Sequence, residues 1–302
     1  MSSLGKSLAV VNPAARHGVT GRMLPAIREL LDGVVDYDLV VSDAPRHALD
    51  LARESTGYDS VIAVGGDGTV HEILNGLMAR PADDRPALAL IPTGSGNDYR
   101  RTLGVSPDLP TAVRQIASGV RKQVDVGVAN GAYFANSMGI GLDARVTAKA
   151  VETKVRTGWS GLPLYLRALF FVLFRQFYSH PVRIQFDDEP AVDLDMLLIA
   201  MTNGPTYGGG FFITPRAISD DGLLDVCYLD RLSLPGALWR LPFLVLGKHE
   251  NMRPVHTSRH ARVRLWSEKP VEGQIDGEVL LDSHYDVQVL PKALEVVVPG
   301  GE

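Results

Sequence analysis

The chain has 302 residues, 45% of them apolar and 22% charged, with a formal net charge of −5. That length and apolar share can bury a full core and allow two domains, while the acidic balance leaves no basic footprint for nucleic acid. The single cysteine, Cys227, excludes an internal disulfide; its place in the apolar run LLDVCYL reads as a buried structural thiol suited to a reducing cytosol.

In chain order, the segment before Asn12 has too short an apolar run for a secretory signal. Apolar runs at 8–11 (LAVV), 37–41 (YDLVV), 60–64 (SVIAV), 87–91 (ALALI) and 123–128 (QVDVGV) read as strands. Between them RMLPAIRELL, RHALDLARE, VHEILNGLM and PTAVRQIAS carry helical spacing, and the alternation is the βαβ rhythm of a parallel sheet. Asn12, on the turn after the first strand, offers an amide to a nucleotide, and Pro13 stiffens that turn.

The third strand runs into Gly65-Gly66-Asp67-Gly68-Thr69. Glycines there are expected to take positive φ and to let a ligand approach the backbone. Thr69 and Glu72 fit a capping box, which predicts a helix starting where the glycines end. A helix N-terminus beside a glycine turn presents free N–H groups and partial positive charge, a ready phosphate site. Asp67 would repel a bare phosphate, so it points to a bound Mg²⁺ or to proton transfer beside a phosphoryl group. The fourth strand leads into a second loop, Thr93-Gly94-Ser95-Gly96-Asn97-Asp98. Loops at the carboxyl ends of neighbouring parallel strands converge on one crevice. Neither loop matches the Walker pattern, and neither contains a lysine to reach terminal phosphates.

From Tyr133 the pattern changes to extended runs, PVRIQFD, MLLIAMT, LLDVCYL, ARVRLW, YDVQVL and ALEVVV, which predict a mostly antiparallel second domain. Gly139-Ile140-Gly141-Leu142-Asp143-Ala144 satisfies G-x-G-x-x-A, but the acidic residue that a dinucleotide fold needs about 20 residues on is missing, so a tight turn is the better reading. Residues 158–178 (GWSGLPLYLRALFFVLFRQFY) are the most apolar stretch, with Arg167 and Arg175 at helical spacing. Their longest unbroken apolar run is far short of a bilayer span. The stretch fits a core helix, a lipid pocket or contact with a membrane surface. Ser219-Asp220-Asp221-Gly222 is a turn rich in oxygen donors, and Asp276-Gly277 is a hairpin-turn dipeptide preceding Glu278.

The ordered set Val11-Asn12-Pro13, GGDGT, PTGSGND, Tyr207-Gly208-Gly209-Gly210, SDDGLLDV and Asp276-Gly277-Glu278 resembles the diacylglycerol kinase catalytic family of lipid kinases, which includes bacterial diacylglycerol kinases and sphingosine kinases. The resemblance spans the whole chain. It implies a nucleotide-binding α/β domain at 1–127, joined again by 291–302, and a β-sandwich lipid-substrate domain at 128–290. It implies ATP as donor, a lipid alcohol as acceptor, and nucleotide contacts from Asn12, Gly65, Gly66, Gly68, Thr69, Thr93, Gly94, Ser95, Gly96 and Asn97. It assigns Glu278 the general-base role, with Asp67 as its partner or as a Mg²⁺ ligand, both lining one cleft. Bacterial members suggest a separate structural Mg²⁺ on the Asp221 carboxylate and the carbonyls of Ile218 and Leu223. Where the family often has a Ser/Gly pair after Asn-Pro, this chain has Ala14-Ala15-Arg16-His17-Gly18, which weakens the case for phosphate contacts there.

The expectation is therefore a cytoplasmic enzyme, with the inner face of the membrane as a peripheral partner, transferring a γ-phosphoryl group to diacylglycerol or a similar alcohol. A homodimer is left open. The rivals are a sphingoid-base kinase, an NAD kinase, which shares the glycine-aspartate loop, and a catalytically silent sensor of lipid or nucleotide.

Overall fold

The computed structural model describes residues 4–300, which fall into two compact units: residues 4–124 with 292–300, and residues 125–291. The first unit alternates strand and helix as the apolar periodicity requires: β1 (Lys6–Val11), α1 (Ala15–Leu31), β2 (Asp36–Val41), α2 (His47–Arg53), β3 (Ser60–Gly65), α3 (Asp67–Met78), β4 (Ala87–Pro92), α4 (Asp98–Leu103) and α5 (Leu109–Ala117). The strands lie in the order β4-β3-β1-β2, all parallel, with Val10 beside Val40 and Ala63, and Val64 beside Ile91. Parallel strands covered on both faces must be apolar throughout, and β3 is buried at every residue. Leu4, Ile27, Leu31, Ile62, Ile91 and Ile116 belong to the core beneath the helices. Crossing from one strand to its parallel neighbour brings each following loop to the carboxyl edge, so Asn12, GGDGT and PTGSGND emerge along one rim.

β5 (Val120–Ala129) runs from the first unit into the second, which continues with β6 (Ala132–Phe134), β7 (Ser137–Gly141), α6 (Leu142–Thr157), α7 (Gly161–Arg175), β8 (His180–Phe186), β9 (Val192–Thr202), β10 (Leu224–Asp230), α8 (Leu234–Val245), β11 (Val255–His260), β12 (Arg262–Ile275) and β13 (Glu278–Val298). Here the strands are antiparallel, in the order β11-β10-β9-β7-β12-β13. β8 pairs with both β9 and β12, closing β7, β9, β8 and β12 into a circuit around Phe134, Ile140, Ile184, Ile199 and Tyr285. A second cluster lies under α6, α7 and α8 and includes Leu164, Leu169, Val172, Leu197, Phe211 and Cys227. Cys227 is fully buried, and burial pushes its thiol up to about 12, as a structural thiol requires. The end of β13 belongs to the first unit, where Val296 pairs in parallel with Leu88 of β4.

Among the described residues no single helix is long and apolar enough to cross a membrane; α6 and α7 are bent 119° from one another.

Candidate active site

In the first unit the two glycine loops are sewn together. The Gly65 carbonyl accepts the N–H of Thr93 at 2.9 Å and of Gly94 at 3.1 Å. None of Gly65, Gly66 or Gly68 has a positive φ, contrary to the expectation from sequence; the first two are needed for space instead. A Cβ on Gly65 would lie 2.3 Å from Thr69 Oγ1, and one on Gly66 would lie 3.1 Å from Gly94 Cα. Gly68 differs: a Cβ there would meet nothing within 4 Å, so the first turn of α3 is open at this point.

The helix also begins earlier than the capping-box reading predicts. Gly66 is the N-cap and Asp67 the first helical residue, with no side-chain cap bond. Thr69 is buried within the first turn, and its hydroxyl accepts from Asn12 Nδ2 at 3.1 Å. Asn12 thereby ties the end of β1 to α3, and its Oδ1 accepts the Ala14 N–H. Thr93 is likewise internal, receiving a 2.7 Å hydrogen bond from Thr20. The two threonine hydroxyls thus tie the Asn12 turn to α3 and α1 to the second loop, and the leading N–H groups of α3 are ones that no carbonyl within the helix can reach.

Asp67 reaches the second loop. Its Oδ1 accepts the Tyr99 N–H at 3.3 Å, and its Oδ2 stands 2.8 Å from where a Cβ on Gly96 would be. Asn97 opens α4 in a left-handed conformation, donates to the Gly94 carbonyl at 2.8 Å, and has a buried Oδ1 with no partner. Arg101 closes the loop by binding Asp98 at 2.6 Å and the Gly96 carbonyl at 3.2 Å. Arg100 donates to the Val105 carbonyl. An open backbone at Gly68, a helix N-terminus beside it and a nearby carboxylate fit a triphosphate with a hard cation, whose oxygen ligands would come from Asp67.

In the second unit Asp276 and Gly277 form a two-residue turn between β12 and β13, with φ of 46° and 97° and Ile275 paired to Glu278. Two positive φ values mark a hairpin turn of the primed type, as the Asp-Gly signal predicts. Asp276 is more than a turn former, because its carboxylate accepts the N–H groups of Ala135 (2.8 Å), Asn136 (3.1 Å) and Ser137 (2.9 Å). Glu278, directly after the turn, is exposed.

At the Ser219–Leu223 loop two carboxylates, Asp221 and Asp225, share one guanidinium, and a third, Asp125, binds the loop backbone. Asp221 accepts the Leu223 N–H at 3.1 Å and lies 3.5 Å from Arg259. Asp225 pairs with Arg259 at 3.1 Å and accepts the Ile218 N–H, and Asp125 accepts the Gly222 N–H at 2.7 Å. Burial raises the Asp225 carboxyl above its ordinary value against the pull of Arg259. This surplus of negative charge fits a hard cation at Asp221, although among the described residues no three His, Cys, Asp or Glu side chains converge on one point.

Sequence reasoning passed over a further group. A cavity of about 110 Å³ lies under α6, α7 and α8, walled by apolar side chains such as Leu169, Leu173, Leu241 and Leu244, and Asp143 and Tyr207 line it. Desolvation pushes the Asp143 carboxyl up to about 6, against hydrogen bonds from Tyr207 and Gln274 that favour its charge. Burial beside Asp143 raises the Tyr207 phenol well above its usual value. The available signal was Asp143 itself, an acid within an otherwise apolar and glycine run. Gly139 has to be bare because a Cβ there would lie 1.8 Å from Asp143 Oδ2.

A parallel α/β unit with paired glycine loops, followed by an antiparallel unit, is a fold shared with diacylglycerol kinase and NAD kinase structures. The NAD kinase from Archaeoglobus fulgidus, solved in complex with ATP, shares the fold at a TM-score of 0.53 and 13% identity, over 98% of this chain and 94% of that one. A diacylglycerol kinase structure from Bacillus anthracis shares it at 0.76 and 24% identity, over 99% and 98%. In sequence, residues 6–129 match the diacylglycerol kinase catalytic domain, and residues 119–298 match the YegS C-terminal NAD kinase beta sandwich-like domain. The chain is 30% identical to the diacylglycerol kinase of Bacillus subtilis (strain 168) over 223 residues, 73% of this chain and 71% of that protein. The chain belongs to the diacylglycerol kinase family of lipid-kinase-type transferases.

Proposed function

We propose that the protein is an ATP-dependent lipid kinase, transferring the γ-phosphoryl group to the hydroxyl of diacylglycerol or a similar lipid alcohol. The apolar cavity of the second unit carries this reading: the glycine cradle serves NAD kinases equally well, whereas a cavity walled by leucines suits an acyl chain. Each buried CH₂ contributes about 0.8 kcal/mol, so apolar walls select a chain without many polar contacts.

In the proposed mechanism the first-turn N–H groups of α3, with Gly65, Gly66 and Gly68, hold the phosphates, aided by Asn12, Thr69 and the Thr93-Gly94-Ser95-Gly96-Asn97 loop. Mg²⁺, when bound through Asp67, supplies neutralisation of phosphate charge; the Asp221 loop, with the carbonyls of Ile218 and Leu223, is the second proposed cation position. As the acceptor oxygen bonds to the γ-phosphorus and the bond to the β-phosphate oxygen breaks, Glu278 takes the hydroxyl proton and ADP leaves. Exposed and directly after a braced turn, Glu278 suits that exchange of protons.

The acceptor resides in a bilayer, and α7 offers a face to meet one. Phe170 and Phe174 are 44% and 60% exposed beside exposed Arg167 and Arg175. Arg167 also stands over the Trp159 ring. Aromatic side chains with interspersed arginines favour an anionic membrane surface. A long-chain-base acceptor is the second reading, favoured by Asp143, an acid in the cavity wall that an ammonium group would meet.

The test is purified protein with radiolabelled ATP, Mg²⁺ and a panel of diacylglycerol, sphingosine, ceramide and NAD. Label in diacylglycerol supports the proposal and label in sphingosine the second reading. Label in NADP, or in no fraction, rejects it.

A further inference from the structure

Gln274 sits in β12 opposite Gly139 of β7 and is 2% exposed. Its carboxamide is used at both ends. Nε2 donates to Asp143 Oδ2 at 3.1 Å, and Oε1 accepts the Gly277 N–H at 2.8 Å. Asp143 in turn lines the apolar cavity and hydrogen-bonds Tyr207. One buried side chain therefore joins the cavity wall to the turn residue next to Glu278. Asp276 braces the same turn from the other side through Ala135, Asn136 and Ser137.

We propose that Asp143 and Gln274 are positioning residues that couple filling of the apolar cavity to the placement of the Glu278 carboxylate. This rests on the lipid-kinase reading above. A chain entering the cavity packs against Asp143 and Tyr207, so their geometry depends on whether the cavity is filled. Any shift of the Asp143 carboxylate is passed by the Gln274 amide to the Gly277 N–H. A small displacement of a reacting group costs up to about 10²-fold in rate, so such a link makes turnover depend on the acceptor's chain as well as its hydroxyl.

The test exchanges donor and acceptor across the link. Gln274→Glu sets carboxylate against carboxylate, and Asp143→Asn removes an acceptor that Tyr207 and Gln274 share. The double variant Asp143→Asn with Gln274→Glu rebuilds every bond. The amide now at position 143 donates to the carboxylate at position 274 while still accepting from Tyr207, and that carboxylate still accepts from Gly277. Each single variant is expected to lose about 10- to 100-fold in kcat with KM for ATP unchanged, and to lose the dependence of kcat on acyl-chain length. The double variant is expected to recover both. Singles within twofold of wild type, or a folded double variant no faster than the singles, overturn the proposal. Should the double variant not fold, Gln274→Met, which keeps bulk and removes both bonds, decides by whether chain-length dependence survives. The lipid-kinase reading fails separately, if wild-type protein labels no lipid.

Discussion

Gly66 and Gly94 meet backbone to backbone: a Cβ on Gly94 would lie 2.3 Å from Gly66 Cα and 2.6 Å from Asn97 Oδ1. The two loops can touch only while both residues lack a side chain. Gly94→Ala must therefore part them, at a stability cost of about 1–3 kcal/mol, and pull the Gly65 carbonyl from its two partners. ATP affinity measured by calorimetry is expected to fall at least tenfold. Undiminished affinity would show that the junction does not shape the phosphate surface.

Glu278→Gln separates chemistry from folding. The side chain is exposed, so thermal stability is expected to be unchanged. Loss of a general base should lower kcat by about 10²- to 10⁴-fold, with ATP binding intact. A variant that turns over like wild type removes Glu278 from the proton transfer.

Asp143 gives the protein a specific pH response. Its carboxyl is pushed up to about 6 from an ordinary value of 3.8, so the folded state holds a proton that the unfolded chain has released across that interval. Stability from this group is full below the lower value and falls as pH rises toward about 6. Asp143→Asn removes the ionisation. Chemical melts from pH 4 to pH 7 should show the variant gaining on wild type by roughly 2 kcal/mol, the part of the shift that titrates over that interval. A difference that does not vary with pH rejects the assignment.

The α7 face is tested by Phe170→Glu with Phe174→Glu. Sedimentation with vesicles of anionic lipid should show binding reduced at least tenfold, since two apolar contacts are lost and like charges are set against the surface. Turnover of a short-chain acceptor in detergent should be unaffected. Equal vesicle binding would mean that another surface meets the bilayer.

Much of the first unit could be read from local pattern, because buried parallel strands are continuous apolar runs and two of them, β3 and β4, lead straight into glycine loops. The antiparallel character of the second unit was equally legible in its extended runs. The true start of α3 was not. The capping-box pattern at Thr69 and Glu72 is local, whereas the Thr69 hydroxyl is engaged by Asn12 from the turn after β1, and Gly66 caps without a side-chain bond. The purpose of the glycines was hidden for the same reason, since only the fold brings Gly94 against Gly66. Asp143 lay inside a motif set aside as a tight turn. Its importance comes from Gln274, 131 residues further along the chain. Periodicity carries no information about a partner so distant.

Because the last part of β13 belongs with β4, the first unit is assembled from both termini and the second is an insertion between them. The ribosome makes the β13 segment that pairs with β4 last, so the first unit completes only after the second has been synthesised. Cutting the chain ahead of Lys292 would strip β4 of a neighbour and leave a raw sheet edge, and since the boundaries of the second unit fall inside β5 and β13, neither unit can be cut away without severing a strand.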